Sequence, residues 1–144
     1  MKSLIDTNIL ISASLFPQSV PSQAYFKAVT APNIGMVCEY SIDEMRRVYN
    51  KKFPHKIHMM ETFLSIMLLS AHIVTVPPEE DSVDDEAAIR DLKDRPILRA
   101  AIKSDADVLI SSDKDFLESG LMHPKIMPPA EFLKLSFNSS SGRL

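Results

Sequence analysis

The sequence predicts an α/β fold, namely a three-layer α/β/α sandwich around a central parallel, mostly five-stranded sheet. Short apolar runs alternate with segments whose apolar residues recur at helical spacing, which is typical of strands joined by crossover helices. Four of the five apolar runs are continuous, as expected of strands that are buried on both faces. Together these two observations favour a parallel sheet over an antiparallel one.

The first half of the chain predicts three strands with helices between them. The strands are Ser3–Ile5, Gly35–Cys38 and His72–Val76, and the helices are 21–29, 44–49 and 57–71. Residues 9–15 open a short helix or continue as a turn. Ser41 and Glu44 have the spacing of a capping box, which predicts that the second helix begins at Ser41. Pro54 ends that helix, since proline interrupts helical hydrogen bonding.

The second half begins with an acidic connection and then returns to the same alternation. We expect Asp94 to cap a helix that carries Pro96 in its first turn. A strand at 107–110 follows, and then a short helix at 114–119 that Gly120 closes. The last elements are a strand at Lys125–Met127 and a helix at Ala130–Leu135.

Length and composition indicate one ordinary globular domain. The chain has 144 residues, of which 45% are hydrophobic and 24% charged. We predict that the domain covers 1–137 and that the small polar residues 138–144 form a disordered tail. The single cysteine, Cys38, excludes an internal disulfide framework and a cysteine-based zinc site.

Charge is unevenly distributed along the chain, although the net charge is only −3. Residues 79–94 carry eight acids, whereas residues 45–60 carry no aspartate and no glutamate. The basic run includes four candidate RNA-binding residues, Arg46, Arg47, Lys51 and Lys52. Such cations either contact phosphates or form a solvated helix face, and the sequence leaves both open. Contacts to phosphates would position a nucleic acid without reading its sequence.

The apolar segments do not resemble membrane or secretion signals. Asp6 and Asn8 interrupt the apolar run near the N-terminus, which argues against a signal peptide. The apolar stretch 63–76 is too short to span a bilayer. We therefore predict a cytoplasmic protein without a membrane segment.

Four acids are placed where sites form in open α/β sheets, in the crevice outside the carboxyl ends of the strands. Asp6 and Asp113 each follow a predicted strand, and Glu44 and Asp94 each open a helix that starts at the same edge. Each acid taken alone is explained by a turn or a helix cap. Taken together, the four favour a shared site.

Converging carboxylates either have raised pKa values or bind a cation. Oxygen ligands alone suit Mg²⁺ or Mn²⁺, and such ions leave coordination positions for water. A site of this kind suits hydrolysis of a phosphodiester, because the ion activates water and neutralises the leaving oxygen.

The sequence resembles the PIN-domain family of metal-dependent ribonucleases over residues 4–135. The resemblance rests on five motifs, of which the first and fourth are the most specific. They are Leu4–Leu10, Ser41–Met45, Asp91–Ala101, Val108–Leu117 and Pro129–Leu133. The third motif is similar to the branch described as toxins of toxin–antitoxin pairs, the VapC-like proteins.

The resemblance implies a metal-binding and catalytic set of Asp6, Glu44, Asp94 and Asp113 that holds Mg²⁺ or Mn²⁺. Asn8 and Ser111 match polar positions that orient the carboxylates, with Ser111 where threonine is commoner in the family. Asp115 either adds a further acid or is a solvated helix residue. Asp91 is more simply explained as a structural residue.

We expect a ribonuclease that hydrolyses single-stranded RNA, with an antitoxin protein as a possible partner and a homodimer as a possible assembly. A non-catalytic PIN module that binds RNA or protein is the alternative. An aspartyl phosphatase is disfavoured, because Asn8 stands where its general acid would lie. A response-regulator receiver is disfavoured too, since neither its phospho-accepting aspartate nor its late lysine can be placed.

Overall fold

Five short strands form one parallel sheet in a computed structural model that describes residues 1–136. The strands are β1 (Lys2–Ile5), β2 (Ile34–Cys38), β3 (His72–Val74), β4 (Val108–Ile110) and β5 (Lys125–Met127). Their order is β3-β2-β1-β4-β5, and every neighbouring pair is parallel. The predicted parallel sheet is therefore confirmed. The predicted tail, 138–144, lies outside the described residues.

Helices connect the strands on both faces of the sheet. They are α1 (Thr7–Leu15), α2 (Val20–Val29), α3 (Glu39–Lys52), α4 (Ile57–Ser70), α5 (Arg95–Lys103), α6 (Lys114–Leu117) and α7 (Pro129–Leu133). The chain between β3 and α5, residues 75–94, is called the crossover segment below, and it contains three 3-10 turns at Glu79–Asp81, Asp84–Ala88 and Leu92–Asp94. Among residues 1–136, no helix is both long enough and apolar enough to cross a membrane.

Two apolar cores lie on opposite faces of the sheet, because successive strand residues point to opposite sides. Ile5 and Ile110 belong to the core that α1 to α4 and α7 cover. Leu4 and Leu109, their neighbours along the strands, belong to the core that α5, α6 and Ile89 of the crossover segment cover. The predicted three-layer α/β/α arrangement is thereby confirmed.

The helix predicted at 44–49 corresponds to α3, and its predicted start at Ser41 is wrong. Helix α3 begins at Glu39, and the residue before it, Cys38, makes no side-chain capping hydrogen bond. Ser41 lies inside the first turn, fully buried, and its Oγ accepts a hydrogen bond of 2.8 Å from Thr7 Oγ1. The Ser41 hydroxyl is engaged in this tertiary contact and does not cap the helix, so the capping-box pattern does not mark the start of α3.

Other boundaries differ from prediction by a few residues. Residues 9–15, for which a helix and a turn were both open, are helical, and α1 begins at Thr7. Strand β3 ends at Val74 instead of Val76, since Val74 pairs with Cys38 and β2 ends there. Asp94 does precede α5, but its side chain makes no capping hydrogen bond.

The sheet has a topological switch point between β1 and β4. From β1 the chain moves to β2 and β3 on one side, and it then returns to place β4 and β5 on the other side. Connections therefore leave the carboxyl ends of β1 and β4 in opposite directions, which opens a crevice between them. The two ends lie side by side, since the backbone N–H of Asp6 donates to the carbonyl of Ile110 at 2.9 Å.

Candidate metal centre

Asp6 and Asp113 lie at the carboxyl ends of β1 and β4, on the two sides of the switch point. Asp6 is the N-cap of α1, and its carboxylate accepts hydrogen bonds from the Thr7 N–H at 2.8 Å and from Ser111 Oγ at 2.7 Å. Asp113 caps α6 and accepts from the Asp115 N–H at 2.9 Å. Both carboxylates are thus fixed by capping contacts, since a cap holds a side chain against its own helix.

Glu44 and Asp94 reach the same crevice from other elements. Glu44 extends from α3, and Asp94 lies in the last turn of the crossover segment, directly before α5. The structure brings all four predicted acids together in one cleft of about 120 Å³. The cleft is lined by Asp6, Thr7, Asn8, Ile11, Glu44, Val48, Asp94 and Asp113.

Burial and like charge act on the carboxyl of Asp6, which is 5% exposed. Burial is the largest effect and raises the pKa of Asp6 to about 6, against the lowering effect of the hydrogen bonds from Ser111 and Thr7. The negative charges of Glu44 and Asp113 raise it further. Without a counter-charge, part of the Asp6 population would remain protonated near neutral pH.

Burial and like charge also act on the carboxyl of Asp94. Burial first, and then the negative charges of Asp113 and Asp6, raise the pKa of Asp94 well above its ordinary value. The cleft therefore concentrates negative charge beyond what the protein around it neutralises.

Two oxygen atoms in the cleft are buried without a hydrogen-bond partner, Oδ2 of Asp94 and Oδ1 of Asn8. Buried polar atoms are normally paired, so atoms left unpaired beside crowded carboxylates indicate that a ligand belongs there. Carboxylate and amide oxygens are the ligands that a hard divalent cation prefers. The donor set therefore fits Mg²⁺ or Mn²⁺.

The remaining predicted site residues surround the cleft. Ser111 is fully buried, and its Oγ accepts from the Asp113 N–H at 3.0 Å while it donates to Asp6. Asp115 lies outside the cleft lining and accepts from Arg90 Nε at 3.1 Å and from Nη2 at 2.8 Å. One carboxylate oxygen from each of Asp91, Asp94 and Asp115 lies within 4.8 Å of the others, so a further acidic cluster adjoins the cleft.

The four basic residues predicted to contact RNA lie on α3 outside the cleft lining. Arg46 pairs with Glu61 of α4 at 2.8 Å and is therefore directed toward that helix. Arg47, Lys51 and Lys52 are exposed. None of these three cations lines the acidic cleft.

Sequence reasoning missed two contacts that hold the site together. One is the bond from Thr7 to Ser41, and the other is the bond of 3.0 Å that the Tyr40 hydroxyl donates to the carbonyl of Lys93. Both join α3 to another part of the cleft wall. Ser41 was noticed as a polar residue near Glu44, but no sequence signal singles out Tyr40.

The family to which the chain belongs follows from a comparison with family models. A model described as PIN domain matches residues 2–115, which is more than half of the chain. The chain belongs to the PIN domain family. No curated protein matches this PIN domain chain at a significant level.

Solved structures share the fold of this PIN domain. A chain from VapBC2 of Rickettsia felis, described as bound to a DNA fragment from their promoter, has a TM-score of 0.65 and 16% identity. That match covers 88% of this chain and 97% of that chain. VapC20 of Mycobacterium tuberculosis, described as a Sarcin-Ricin loop cleaving toxin, has a TM-score of 0.58 and 14% identity over 83% of this chain and 96% of that chain.

Proposed function

We propose that this PIN domain is a divalent-metal-dependent ribonuclease that cleaves single-stranded RNA and serves as the toxin of a toxin–antitoxin pair. One observation carries the nuclease proposal. Four carboxylates from four separate segments meet in one cleft that also contains two buried, unpaired oxygen atoms. A protein gains nothing in stability from such an arrangement unless a cation neutralises it.

The carboxylates of Asp6, Glu44, Asp94 and Asp113 would hold Mg²⁺ or Mn²⁺. When bound, the ion would activate water for attack on the phosphodiester and neutralise negative charge on the phosphate and the leaving oxygen. Asn8 supplies a neutral oxygen at the same cleft, which adds a ligand or water contact without more charge.

The chain itself orients these groups and takes up protons. Ser111 holds Asp6 through its hydroxyl and Asp113 through the backbone, so one side chain fixes the acids that follow β1 and β4. One of the four carboxylates would take the proton from the attacking water as general base.

The substrate proposal follows from charge around the cleft. A cleft of carboxylates repels phosphates except where an ion or a basic flank attracts them, and Arg47, Lys51 and Lys52 of α3 form such a flank. A single flexible strand can pass from that flank into the narrow cleft, whereas a duplex is too wide. Positive charge on α3 would therefore guide single-stranded RNA to the acids.

The toxin proposal rests on family membership and on similar structures. One similar protein is described as a cleaving toxin, and the other as part of a complex with promoter DNA. By analogy, an antitoxin protein would cover the cleft of this chain and neutralise it. An arginine that pairs with the acids is one chemical means of doing so. We propose further that two copies of the chain assemble as a homodimer in such a complex, which sedimentation of the purified protein would test.

Cleavage of a mixed-sequence single-stranded RNA by the pure protein tests the nuclease proposal. Reactions with Mn²⁺, Mg²⁺ or EDTA are compared for the wild type, Asp6→Asn and Asp85→Asn. Asp85 is an exposed acid of the crossover segment outside the cleft lining, so its variant is a matched control for loss of one charge. We expect metal-dependent cleavage that Asp6→Asn abolishes and Asp85→Asn retains.

Two results would contradict the proposal. If the folded protein binds Mn²⁺ but cleaves neither this RNA nor a total cellular RNA preparation, the chain is a binding module and not a nuclease. If it fails to bind Mn²⁺, the interpretation of the four acids as a metal site is wrong.

A further inference from the structure

Tyr40 connects the two elements that carry Glu44 and Asp94. It lies on α3, one helical turn before Glu44, and its hydroxyl donates a hydrogen bond of 3.0 Å to the carbonyl oxygen of Lys93. Lys93 is the residue directly before Asp94 in the last turn of the crossover segment. A single phenol thus joins the α3 side of the cleft to its Asp94 side.

The ring of Tyr40 is held in place by packing. It is half-buried against the apolar core that α5 covers. Burial, followed by the charge of Glu44, raises the pKa of Tyr40, and the charges of Asp94 and Asp91 act in the same direction. The phenol therefore keeps its proton and remains a hydrogen-bond donor.

Repulsion among the acids makes such a connection necessary. The negative charges of Asp113 and Asp6 act on Asp94, and this repulsion opposes holding the turn that bears Asp94 at the cleft when no ion is bound. Within that turn, Asp91 caps the Lys93 N–H, but this contact is internal to the turn and does not fix it to the rest of the protein. Among the side-chain hydrogen bonds of residues 1–136, the bond from Tyr40 joins the turn to α3.

We propose that Tyr40 is a positioning residue, which holds Asp94 in register with Glu44 so that the cleft is arranged for a divalent cation before the cation binds. The inference rests on the proposed function, because it presumes that these acids bind a metal. Tyr40 acts through the backbone of Lys93 and contacts no ligand itself. Preorganisation of this kind lowers the cost of gathering like charges at the moment of binding.

Three tyrosines give a matched set of variants. Tyr25 and Tyr49 also make hydroxyl hydrogen bonds, to Ser70 and to Ser14, and neither lines the cleft. Tyr49 lies on α3 like Tyr40. Each Tyr→Phe substitution removes one hydroxyl and keeps the ring, so Tyr25→Phe and Tyr49→Phe control for a lost hydrogen bond in general.

The experiment is a calorimetric titration of each metal-free protein with Mn²⁺ alone, with a thermal melt of each variant beside it. We expect Tyr40→Phe to weaken Mn²⁺ binding about threefold to tenfold, the range that one hydrogen bond allows, while the two control variants bind as the wild type does. Thermal stability should fall in the controls at least as much as in Tyr40→Phe, because Tyr25 and Tyr49 are fully buried. A purely structural role would not separate metal affinity from stability in this way.

Two failures are distinguishable in the same titrations. If the wild type and Asp94→Asn both fail to bind Mn²⁺, the proposed metal site is wrong and the role of Tyr40 falls with it. If the wild type binds, Asp94→Asn weakens binding, and Tyr40→Phe binds within twofold of the wild type, the metal site stands and the positioning role of Tyr40 is overturned.

Discussion

Ser111 links the ends of the neighbouring strands β1 and β4 through Asp6, to which its hydroxyl donates a hydrogen bond of 2.7 Å. The same oxygen accepts from the backbone N–H of Asp113 at 3.0 Å. The serine is fully buried, so no solvent competes for these contacts. One hydroxyl therefore sets the relative position of the two acids that follow β1 and β4.

Removing this hydroxyl should weaken metal binding. We expect Ser111→Ala to reduce Mn²⁺ affinity by about tenfold or more, the range found when groups that orient metal ligands are lost. The hydrogen bond from Ser111 lowers the pKa of Asp6, so its loss also favours the protonated carboxyl, which binds metal poorly. Calorimetric titration with Mn²⁺ measures the change. Ser111→Thr keeps the hydroxyl and should retain most of the affinity, and equal losses in both variants would contradict this assignment.

Neutralising Asp94 should stabilise the metal-free protein while it weakens metal binding. The pKa of Asp94 is raised by burial and by its acidic neighbours, so the ionised carboxylate destabilises the fold. We expect Asp94→Asn to raise the melting temperature of the metal-free protein at pH 7.5 by about 2–4 °C, which corresponds to about 1 kcal/mol in a domain of this size. Added Mn²⁺ should stabilise the wild type much more than the variant. A lower melting temperature in metal-free Asp94→Asn would show that the carboxylate is not under electrostatic strain.

Stability of the metal-free protein should depend on pH in a defined direction. The pKa of Asp6 is about 6 in the folded protein and near 3.8 when exposed, so between these values the folded state holds a proton that the unfolded state has lost. Stability then falls as pH rises from about 4 to about 6. Urea unfolding at several pH values in EDTA measures this slope, and Asp6→Asn should flatten it. Mn²⁺ should also stabilise the wild type more at pH 7.5 than at pH 5, where protons compete with the ion.

Removing one partner of the buried ion pair between Arg99 and Glu86 should strongly destabilise the protein, because the other partner stays charged. Arg99 Nη2 lies 2.8 Å and Nε 3.0 Å from the Glu86 carboxylate, and both side chains are under 10% exposed. Arg99→Ala would leave a buried, unpaired carboxylate, for which we expect a loss of about 3–5 kcal/mol in the free energy of unfolding. The hydrogen bond from Arg99 lowers the pKa of Glu86, so acid should weaken the pair only as pH falls below the ordinary range of a glutamate.

A double variant provides the control for this pair. Arg99→Met combined with Glu86→Leu removes both charges and retains similar apolar volume, so it should recover most of the stability that Arg99→Ala loses. Chemical unfolding in urea compares the three proteins. If the double variant is as unstable as Arg99→Ala, the effect comes from packing and not from an unpaired charge.

Much of the fold could be predicted from the sequence because its signals are local. Short apolar runs, four of them continuous, predicted all five strands, and the rule that sites form at the carboxyl ends of strands predicted that Asp6 and Asp113 lie in one crevice. The start of α3 could not be predicted, since the hydroxyl of Ser41 serves a contact with Thr7, a residue 34 positions away. Tertiary contacts override local capping patterns in such cases.

The structure of the crossover segment could not be predicted from the sequence either. Its 3-10 turns of three to five residues have no repeating pattern that could predict them, and apart from Asp91 and Asp94 its acids were assigned only to a charged connection. Arg99 and Glu86 lie 13 positions apart, and Tyr40 and Lys93 lie 53 apart. A single sequence carries no signal for such pairs, because nothing in composition or periodicity relates them.

The place of β1 in the sheet determines when the cleft can form while the protein is being synthesised. One edge of β1 pairs with β2, which the ribosome produces soon afterwards, but the other edge pairs with β4. Ser111 and Asp6 are 105 positions apart, so the central strand keeps one unpaired edge until most of the chain has been synthesised. The growing polypeptide therefore cannot assemble its acidic cleft until β4 has emerged.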